Sequence, residues 1–323
     1  ILGNMNMAAS EGGVAVGSGG TFKMSGNMNL AVPGGEVAVQ NNGAMSLNGN
    51  LNITAPGGKV SVGNGGVLTL ADRSAITLNN PGSLALNDGA VMNLGPHSRF
   101  DGGNSGSVLL AKGAEMVFNT GLVAGSSTLA AARLSTGSAD IRGKMIARMT
   151  NLTHLYQGRS DPAIVLTAAA GVTVASSAEL LGRTPFYTYE FFRLGNQDMA
   201  LRILPGGHFS DFASSPNTRS LTGALDQGLR QGDKVSGELR RALLDMVNFS
   251  TSPEDAARRL RELSPAILAG GLTISPLAAG LVRDNLQNMF WQNSRRTDGF
   301  SARATDSAPA AGNGFEAGAW RFR

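Results

Sequence analysis

A block of about 23 residues repeats through the first quarter of the chain. Residues 25–47 (SGNMNLAVPGGEVAVQNNGAMSL) align with residues 48–70 (NGNLNITAPGGKVSVGNGGVLTL), and a partial earlier copy occupies residues 3–16. Each copy contains short stretches of alternating apolar and polar residues that are separated by Gly, Asn and Pro turns, without helical spacing. Such a repeat predicts a mainly β fold: a right-handed parallel β-helix, a solenoid with about 23 residues per rung, followed by a C-terminal helical segment.

Stacking of such rungs makes residues one period apart neighbours, at a spacing of about 4.8 Å. Met28 and the valines of the repeat are expected inside, with Leu51 one position outside strict register, while Asn, Ser and Thr face water. Glu36 and Lys59 are one period apart and are expected side by side outside, as an exposed pair worth about 0 to 1 kcal/mol. After Leu70 the period drifts to about 24 residues, and the coil is expected to continue to about residue 120.

Composition divides the chain near residue 121. The first part has five Lys or Arg and six Asp or Glu, whereas the second has 22 and 17, so the basic excess of the chain comes from the second part. The arginines are scattered through helical stretches rather than gathered in a stripe with aromatics, which predicts solvated helix faces and no nucleic-acid partner. The absence of cysteine fits a chain that stays unfolded while it crosses a membrane.

Residues 122–212 lose the repeat but keep strand character and gain large side chains. The strongest strand predictions cover residues 163–167, 172–174, 184–192 and 199–204. Bulky residues at the end of a solenoid can close its open hydrophobic end, so this region is predicted to be a C-terminal cap. The aromatic residues assigned to the cap and its core are Phe186, Tyr187, Tyr189, Phe191 and Phe192.

Sequence signals for helices begin at Ser215, and residues 213–296 are predicted to be a helical segment. Four Ser-Pro pairs place a capping hydroxyl before a proline suited to the first helical position. The pairs begin at Ser215, Ser252, Ser264 and Ser275. The last predicted helix, residues 276–295, would be about 30 Å long, the thickness of the hydrocarbon core of a bilayer. Residues 297–323 are predicted to be a linker and the start of a strand.

This order of parts resembles the C-terminal part of the passenger of a type V autotransporter. The resemblance rests on Thr184-Pro-Phe-Tyr-Thr-Tyr-Glu190, on the segment from Phe212 to Asp226 (FASSPNTRSLTGALD), and on Leu263-Ser-Pro-Ala followed by Leu281-Val-Arg-Asp-Asn-Leu. It covers roughly residues 122–323. It implies an autochaperone-like region, a helix that threads a pore and the first strand of an outer-membrane β-barrel. The chain departs from the family in lacking the rest of the barrel, and Ile1 is not a natural start, so a fragment is expected.

The resemblance implies a non-catalytic passenger at the bacterial surface or released from it, acting as an adhesin or by self-association, without a cofactor. Its expected partners are its own barrel and a host cell, a neighbouring cell, a matrix or another copy. The candidate self-association face is Asn27, Asn29, Asn50 and Asn52. Some members of the family cut themselves at an asparagine of the pore helix, which makes Asn285, Asn288 and Asn293 candidate cleavage positions. The alternative is a stalk that presents an N-terminal effector or enzyme.

Catalytic patterns are sparse in the sequence. His97, His154 and His208 are far apart and are expected at turns or on the surface rather than at a metal or in an active site. A third alternative is a polysaccharide-processing β-helix of the tailspike or lyase type, which would need clustered carboxylates. Asp72 and Asp88 are less than a rung apart and could be near one another, but nothing in the sequence activates them.

Overall fold

A long stack of parallel strands dominates the protein. The computed structural model describes residues 1–8, 12–123, 126–156, 158–230 and 237–269, and these residues belong to one compact unit. Successive strands are distributed over three sheets, so that three consecutive strands, one in each sheet, make one rung of a coil. This is the arrangement of a β-helical solenoid, and the fold is mainly β with helices at the C-terminal end.

Five rungs correspond to the part of the chain in which the prediction placed the coil. The first two are β1 (Met5–Ala8), β2 (Gly13–Val16), β3 (Thr21–Ser25), β4 (Met28–Ala31), β5 (Glu36–Val39) and β6 (Ala44–Asn48). The next two are β7 (Asn50–Ile53), β8 (Lys59–Val62), β9 (Val67–Leu70), β10 (Ala75–Leu78), β11 (Ser83–Leu86) and β12 (Val91–Leu94). The fifth is β13 (Arg99–Asp101), β14 (Ser107–Leu110) and β15 (Glu115–Leu122).

The coil does not end near Thr120, and that prediction was wrong. After β16 (Leu129–Ala130), which pairs with β15 in antiparallel fashion, two more rungs follow. They are β17 (Arg133–Thr136), β18 (Ser138–Ile141), β19 (Lys144–Met149), β20 (Ala163–Ala168), β21 (Val172–Val174) and β22 (Glu179–Leu181). The sequence repeat disappears there because longer connections interrupt it, while strand pairing continues: Phe100 pairs with Leu134, and Leu134 with Leu166.

Pairing in register explains why apolar and polar residues alternate within the repeat. Met28 pairs directly with Leu51, and Leu51 with Ile76, so the expectation that Leu51 lies outside the register was wrong. All three side chains are buried, and burial of each such side chain contributes about 1.5 to 3 kcal/mol. Glu36 pairs with Lys59, as predicted, and its carboxylate accepts a hydrogen bond of 2.7 Å from the Ser61 hydroxyl.

The C-terminal end of the coil is closed by a hairpin and helices. Strand β24 (Asp198–Pro205) pairs antiparallel with β20 and with β23 (Tyr187–Leu194), so the sheet that begins with β1 ends in this hairpin. Two 3-10 helices (Leu152–Tyr156 and Phe209–Phe212) and the helices α1 (Pro216–Arg230), α2 (Gly237–Phe249) and α3 (Pro253–Ala269) complete the cap. One hydrophobic cluster extends from the coil into these helices.

The predicted strands at residues 163–167, 172–174 and 199–204 are confirmed, and the stretch at 184–192 forms β23 from Tyr187 onward. Two Ser-Pro pairs are confirmed as helix starts, since α1 begins at Pro216 and α3 at Pro253. The prediction of a start at Ser264 was wrong because this residue lies inside α3. The helix continues past Pro265 to Ala269, although proline removes one backbone N–H donor there. The pair at Ser275 lies outside the described residues.

Candidate functional site

The predicted asparagine face exists as two parallel ladders on the outer surface of β1, β4 and β7. In the first ladder, the Asn29 amide donates to the Asn6 carbonyl oxygen (2.7 Å), and the Asn52 amide donates to that of Asn29 (2.8 Å). The in-register pairs Asn6 with Asn29 and Asn29 with Asn52 impose this contact. Each side chain therefore keeps a fixed direction, and stacked amides of this kind stabilise the pairing of neighbouring strands.

The second ladder joins side chains to backbone. The Oδ1 atom of Asn4 accepts from the Asn27 backbone N–H (3.0 Å), and Oδ1 of Asn27 accepts from the Asn50 backbone N–H (3.2 Å). These contacts satisfy donors at the turn that enters each strand. The four predicted residues thus share one face, but much of their hydrogen-bonding capacity is used within the coil. The 23-residue spacing of the asparagines was the sequence signal for these ladders, and Asn4 and Asn6 also belong to them.

The polar ladders end at the fourth rung. Thr77 follows Asn52 in register, and further along the same face Arg99 pairs with Arg133. Both arginines are exposed, so two like charges are neighbours there. The outer face of this sheet is therefore divided into a neutral amide-rich part and a charged part, which also carries the exposed Asp101.

Asp72 and Asp88, the candidate acidic pair of the coil, lie in different turns. Asp72 lies in the turn after β9 and its carboxylate is 3.1 Å from Nδ1 of His97, one rung away. Asp88 lies in the turn before β12, at the other end of the strands of that sheet. A four-residue strand spans about 13 Å, so the structure does not bring Asp72 and Asp88 together. Within the described ranges, no group of three or more His, Cys, Asp or Glu could hold a metal ion.

The expected turn or surface position is confirmed for His97, and the other two histidines lie in or beside short helical segments. His97 is half-exposed at a turn with φ of 58°, and His154 lies within the 3-10 helix Leu152–Tyr156. His208 immediately precedes the second 3-10 helix, and its ring lies 4.9 Å from that of Tyr156.

The predicted cap aromatics form most of the closing core. Phe186, Tyr187, Tyr189 and Phe191 are buried, whereas Phe192 is partly exposed under the Arg202 guanidinium (5.0 Å). Phe191 contacts Phe118, an interior residue of the fifth rung, at 5.9 Å between ring centroids. The Tyr189 hydroxyl hydrogen-bonds Thr120. The cap is therefore fastened to the coil by both apolar and polar contacts.

Asn248 of α2 holds the last residue of β19. Its Oδ1 accepts from the Met149 N–H (2.8 Å) and from the Tyr187 hydroxyl (2.6 Å), and its amide donates to the Met149 carbonyl (2.9 Å). One side chain thus satisfies the N–H and C=O that a further strand would otherwise pair. Sequence reasoning missed this residue, because nothing local distinguishes it from other helix asparagines.

Asp226 joins α1 to both 3-10 helices of the cap. Its carboxylate accepts hydrogen bonds from the Tyr156 hydroxyl and from the backbone N–H groups of Phe209 (3.1 Å) and Ser210 (3.0 Å), and the side chain is buried. Desolvation and the bond to Asp226 raise the pKa of Tyr156 well above its ordinary value. Asp226 is the last residue of one resemblance motif, and the structure gives it a positioning role.

The candidate cleavage residues Asn285, Asn288 and Asn293 lie outside the described residues. The same holds for the predicted pore helix and for residues 297–323. In the portion of the chain that the structure describes, no helix combines the length and apolar character needed to cross a membrane.

Comparison with known proteins identifies no family for this chain. No protein-family model matches the chain, and no curated protein is similar to it in sequence.

Proposed function

We propose that this chain is the C-terminal part of an autotransporter passenger that acts without catalysis, as an adhesin or by self-association at the bacterial surface. The observation that carries the proposal is the regular outer face of the coil, where asparagine amides are stacked in register over three rungs. The closed cap after the last rung supports it, because it ends the coil in the order that the resemblance implies. The proposed location, which follows from the resemblance, is the outer membrane or the medium.

The finer fold belongs to the same proposal: a right-handed parallel β-helix with about 23 residues per rung. Right-handed crossover is the strong preference for parallel strands of one sheet. The register pairs of the first three rungs, such as Val37 with Val60, support the period. The longer connections after the fifth rung lengthen this period locally, so that Arg99 pairs with Arg133.

The amide face suits weak, multiple contacts. Because each asparagine of the ladder is already held by its neighbours, it loses little conformational freedom when it meets a second surface. A repeat of about 4.8 Å between equivalent amides presents the same contact several times. The proposed partner is therefore another copy, a neighbouring or host cell, or a matrix, while the chain's own barrel is the proposed anchor.

A stalk that presents an N-terminal effector is the second candidate. The observation that favours it is that Asn27, Asn29 and Asn52 use hydrogen bonds within the coil, which is what a purely structural ladder requires. The two candidates differ in what precedes residue 1 in the gene: more copies of the repeat favour adhesion along the coil, and a non-repetitive domain favours the stalk.

Replacement of Asn27, Asn29, Asn50 and Asn52 by Lys tests the adhesive role. We expect clumping of cells that display the protein to fall, because four like charges would oppose the contact of two such faces. The matched control adds four lysines to a neighbouring sheet, at Ala38 of β5, Ser83 and Ala85 of β11, and Ser107 of β14.

Circular dichroism and protease resistance establish that each variant is folded. Clumping that stays at the wild-type level in the folded asparagine variant contradicts the adhesive role of this face. Equal loss in the control shows a non-specific charge effect and contradicts it as well.

A further inference from the structure

A half-open groove lies beside strand β19, at the last rung of the coil. Strands β19 and β22 pair only from Lys144 to Ile146, after which the chain leaves β22 and turns back, with the Tyr189 N–H bonded to the Gly182 carbonyl (2.7 Å). The gap that opens between the end of β19 and this turn has a volume of about 460 Å³. The end of α2 closes its third side with Asn248 and Phe249.

The groove has an unusually apolar rim. Leu180, Leu181 and Phe249 line it, and their exposed fractions are 39%, 41% and 44%. Most large apolar side chains of the coil are instead buried in the interior. Clustered exposed apolar residues at a concave surface are typical of a binding site.

Two arginines give the groove a positive potential. Arg148 and Arg183 line it, and none of the described residues that line it is acidic. The Arg148 guanidinium lies 4.9 Å from the centre of the Phe249 ring, which places this charge over the apolar rim. Glu179, at the start of β22, is already 3.8 Å from Lys144. A concave basic surface attracts a negatively charged partner.

The backbone of β19 offers a place for an extended peptide. Asn248 occupies the hydrogen-bonding groups of Met149 on the side of β19 that faces α2. Alternate residues of a strand direct their N–H and C=O groups to the same side, so those of Ala147 point toward this side too. The last pair of the β19–β22 ladder, Ile146 with Leu181, places the Leu181 carbonyl on the Ala147 N–H, so the Ala147 carbonyl is the acceptor directed toward the groove.

We propose that this groove binds a short extended acidic segment of a partner protein. An acidic side chain of the segment contacts Arg148 and Arg183, its apolar side chains lie on Leu181 and Phe249, and one of its backbone N–H groups donates to the Ala147 carbonyl. The inference rests on the groove alone, so its failure leaves the proposed adhesive role of the coil untouched.

Fluorescence anisotropy with a labelled Val-Glu-Val-Glu-Val peptide tests the proposal on the full chain. We expect saturable binding that R148Q/R183Q weakens at least about tenfold, because two charge-assisted contacts are lost. R99Q/R133Q removes the same charge from the outer face of the coil and is expected to change the affinity less than about twofold. R183Q alone, at an exposed position, provides a variant that spares the Arg148–Phe249 contact.

Hydrogen exchange locates the peptide, with slower exchange expected for the Arg183 amide, which lines the groove. The proposal is overturned by absent binding, by equal binding of Val-Lys-Val-Lys-Val, or by equal weakening in R99Q/R133Q. Competition by free glutamate as strong as that of the peptide would assign the groove to a small anion instead. A concentration-dependent dimer that R183Q abolishes in sedimentation velocity would assign it to a second copy.

Discussion

Glycines at one corner of the coil show how closely the rungs approach. Gly49 has φ of +148°, and a Cβ atom there would lie 2.0 Å from the Gly26 carbonyl oxygen. Gly26 has the same relation to Gly3, at 2.3 Å. Gly34 also has a positive φ, of +63°, but no atom lies within 4 Å of its would-be Cβ. The first corner therefore needs glycine for space and conformation, and Gly34 needs it for conformation alone.

Alanine substitutions at Gly49 and Gly34 separate these two requirements. We expect Gly34→Ala to lower the free energy of unfolding by about 1 kcal/mol, which is the cost of a left-handed conformation for a residue with a Cβ. Gly49→Ala should cost about 3 kcal/mol or more, because the backbone of the neighbouring rung must also move. Urea unfolding followed by circular dichroism measures both. Equal costs would mean that the rungs separate easily at this corner.

Single residues differ in how well the sequence predicts their contacts. The neighbours Glu36 and Lys59 follow from the period, because parallel in-register stacking turns a sequence interval into a spatial contact. The contact between Asn248 and Met149 spans 99 positions and does not follow from the repeat period. Long-range contacts of this kind depend on how the cap docks, which no local pattern specifies.

At the scale of elements, the cap contains all three tyrosines of the protein. Burial raises the pKa of Tyr187 and of Tyr189 above the ordinary value, and burial with the bond to Asp226 does the same for Tyr156. A raised folded-state pKa means that the unfolded chain releases these protons first as the pH rises. The stability is thus fully present below about pH 10, the ordinary pKa of tyrosine, and declines above it.

Alkaline titration checks this behaviour of the cap. We expect the thermal midpoint to fall as the pH rises above about 10, and the absorbance of tyrosinate to appear together with the loss of the circular dichroism signal. Tyr156→Phe, which removes one of the three ionisations, should make the fall less steep. Tyrosinate formation near pH 10 in a chain that keeps its native circular dichroism would contradict the burial of these hydroxyls.

Helix starts show the limit of prediction at this scale. The Ser252 hydroxyl accepts from the Asp255 N–H (3.2 Å), and the Ser215 hydroxyl accepts from the Thr218 N–H (3.2 Å), as expected of capping residues. The pair at Ser264 carries the same two residue types but lies within α3. A Ser-Pro pair indicates a position where a helix can begin. Whether one begins depends on the residues before it, because these can already be helical.

For the whole molecule, the cap closes a hydrophobic core that is continuous from the coil to the helices. Phe100 and Phe118 of the fifth rung are 1% and 0% exposed because further rungs and the hairpin cover them. Without that cover, the coil would end in a broad apolar surface. Solenoids require such terminal caps for solubility and stability.

Deletion of residues 122–212 removes the last two rungs of the coil together with the hairpin that closes them. We expect the remaining coil to become sensitive to limited proteolysis and to bind a hydrophobic dye, since the interior of the fifth rung is uncovered. Deletion of residues 1–25, the first rung, is the matched control and should leave the later rungs resistant, because they keep both their stacking and their cap. Equal resistance of the two variants would show that the coil is stable without the cap.

The sequence by itself determined the rung pattern, the faces of the strands and two of the helix starts. These features depend on local alternation and on an interval that repeats, and stacking in register converts both directly into structure. Only the tertiary structure decided where the coil ends, which groups form hydrogen bonds with the asparagine amides, and how the groove beside β19 forms. Those features arise where connections of irregular length bring distant segments together, and their free energy comes from contacts that no interval in the sequence encodes.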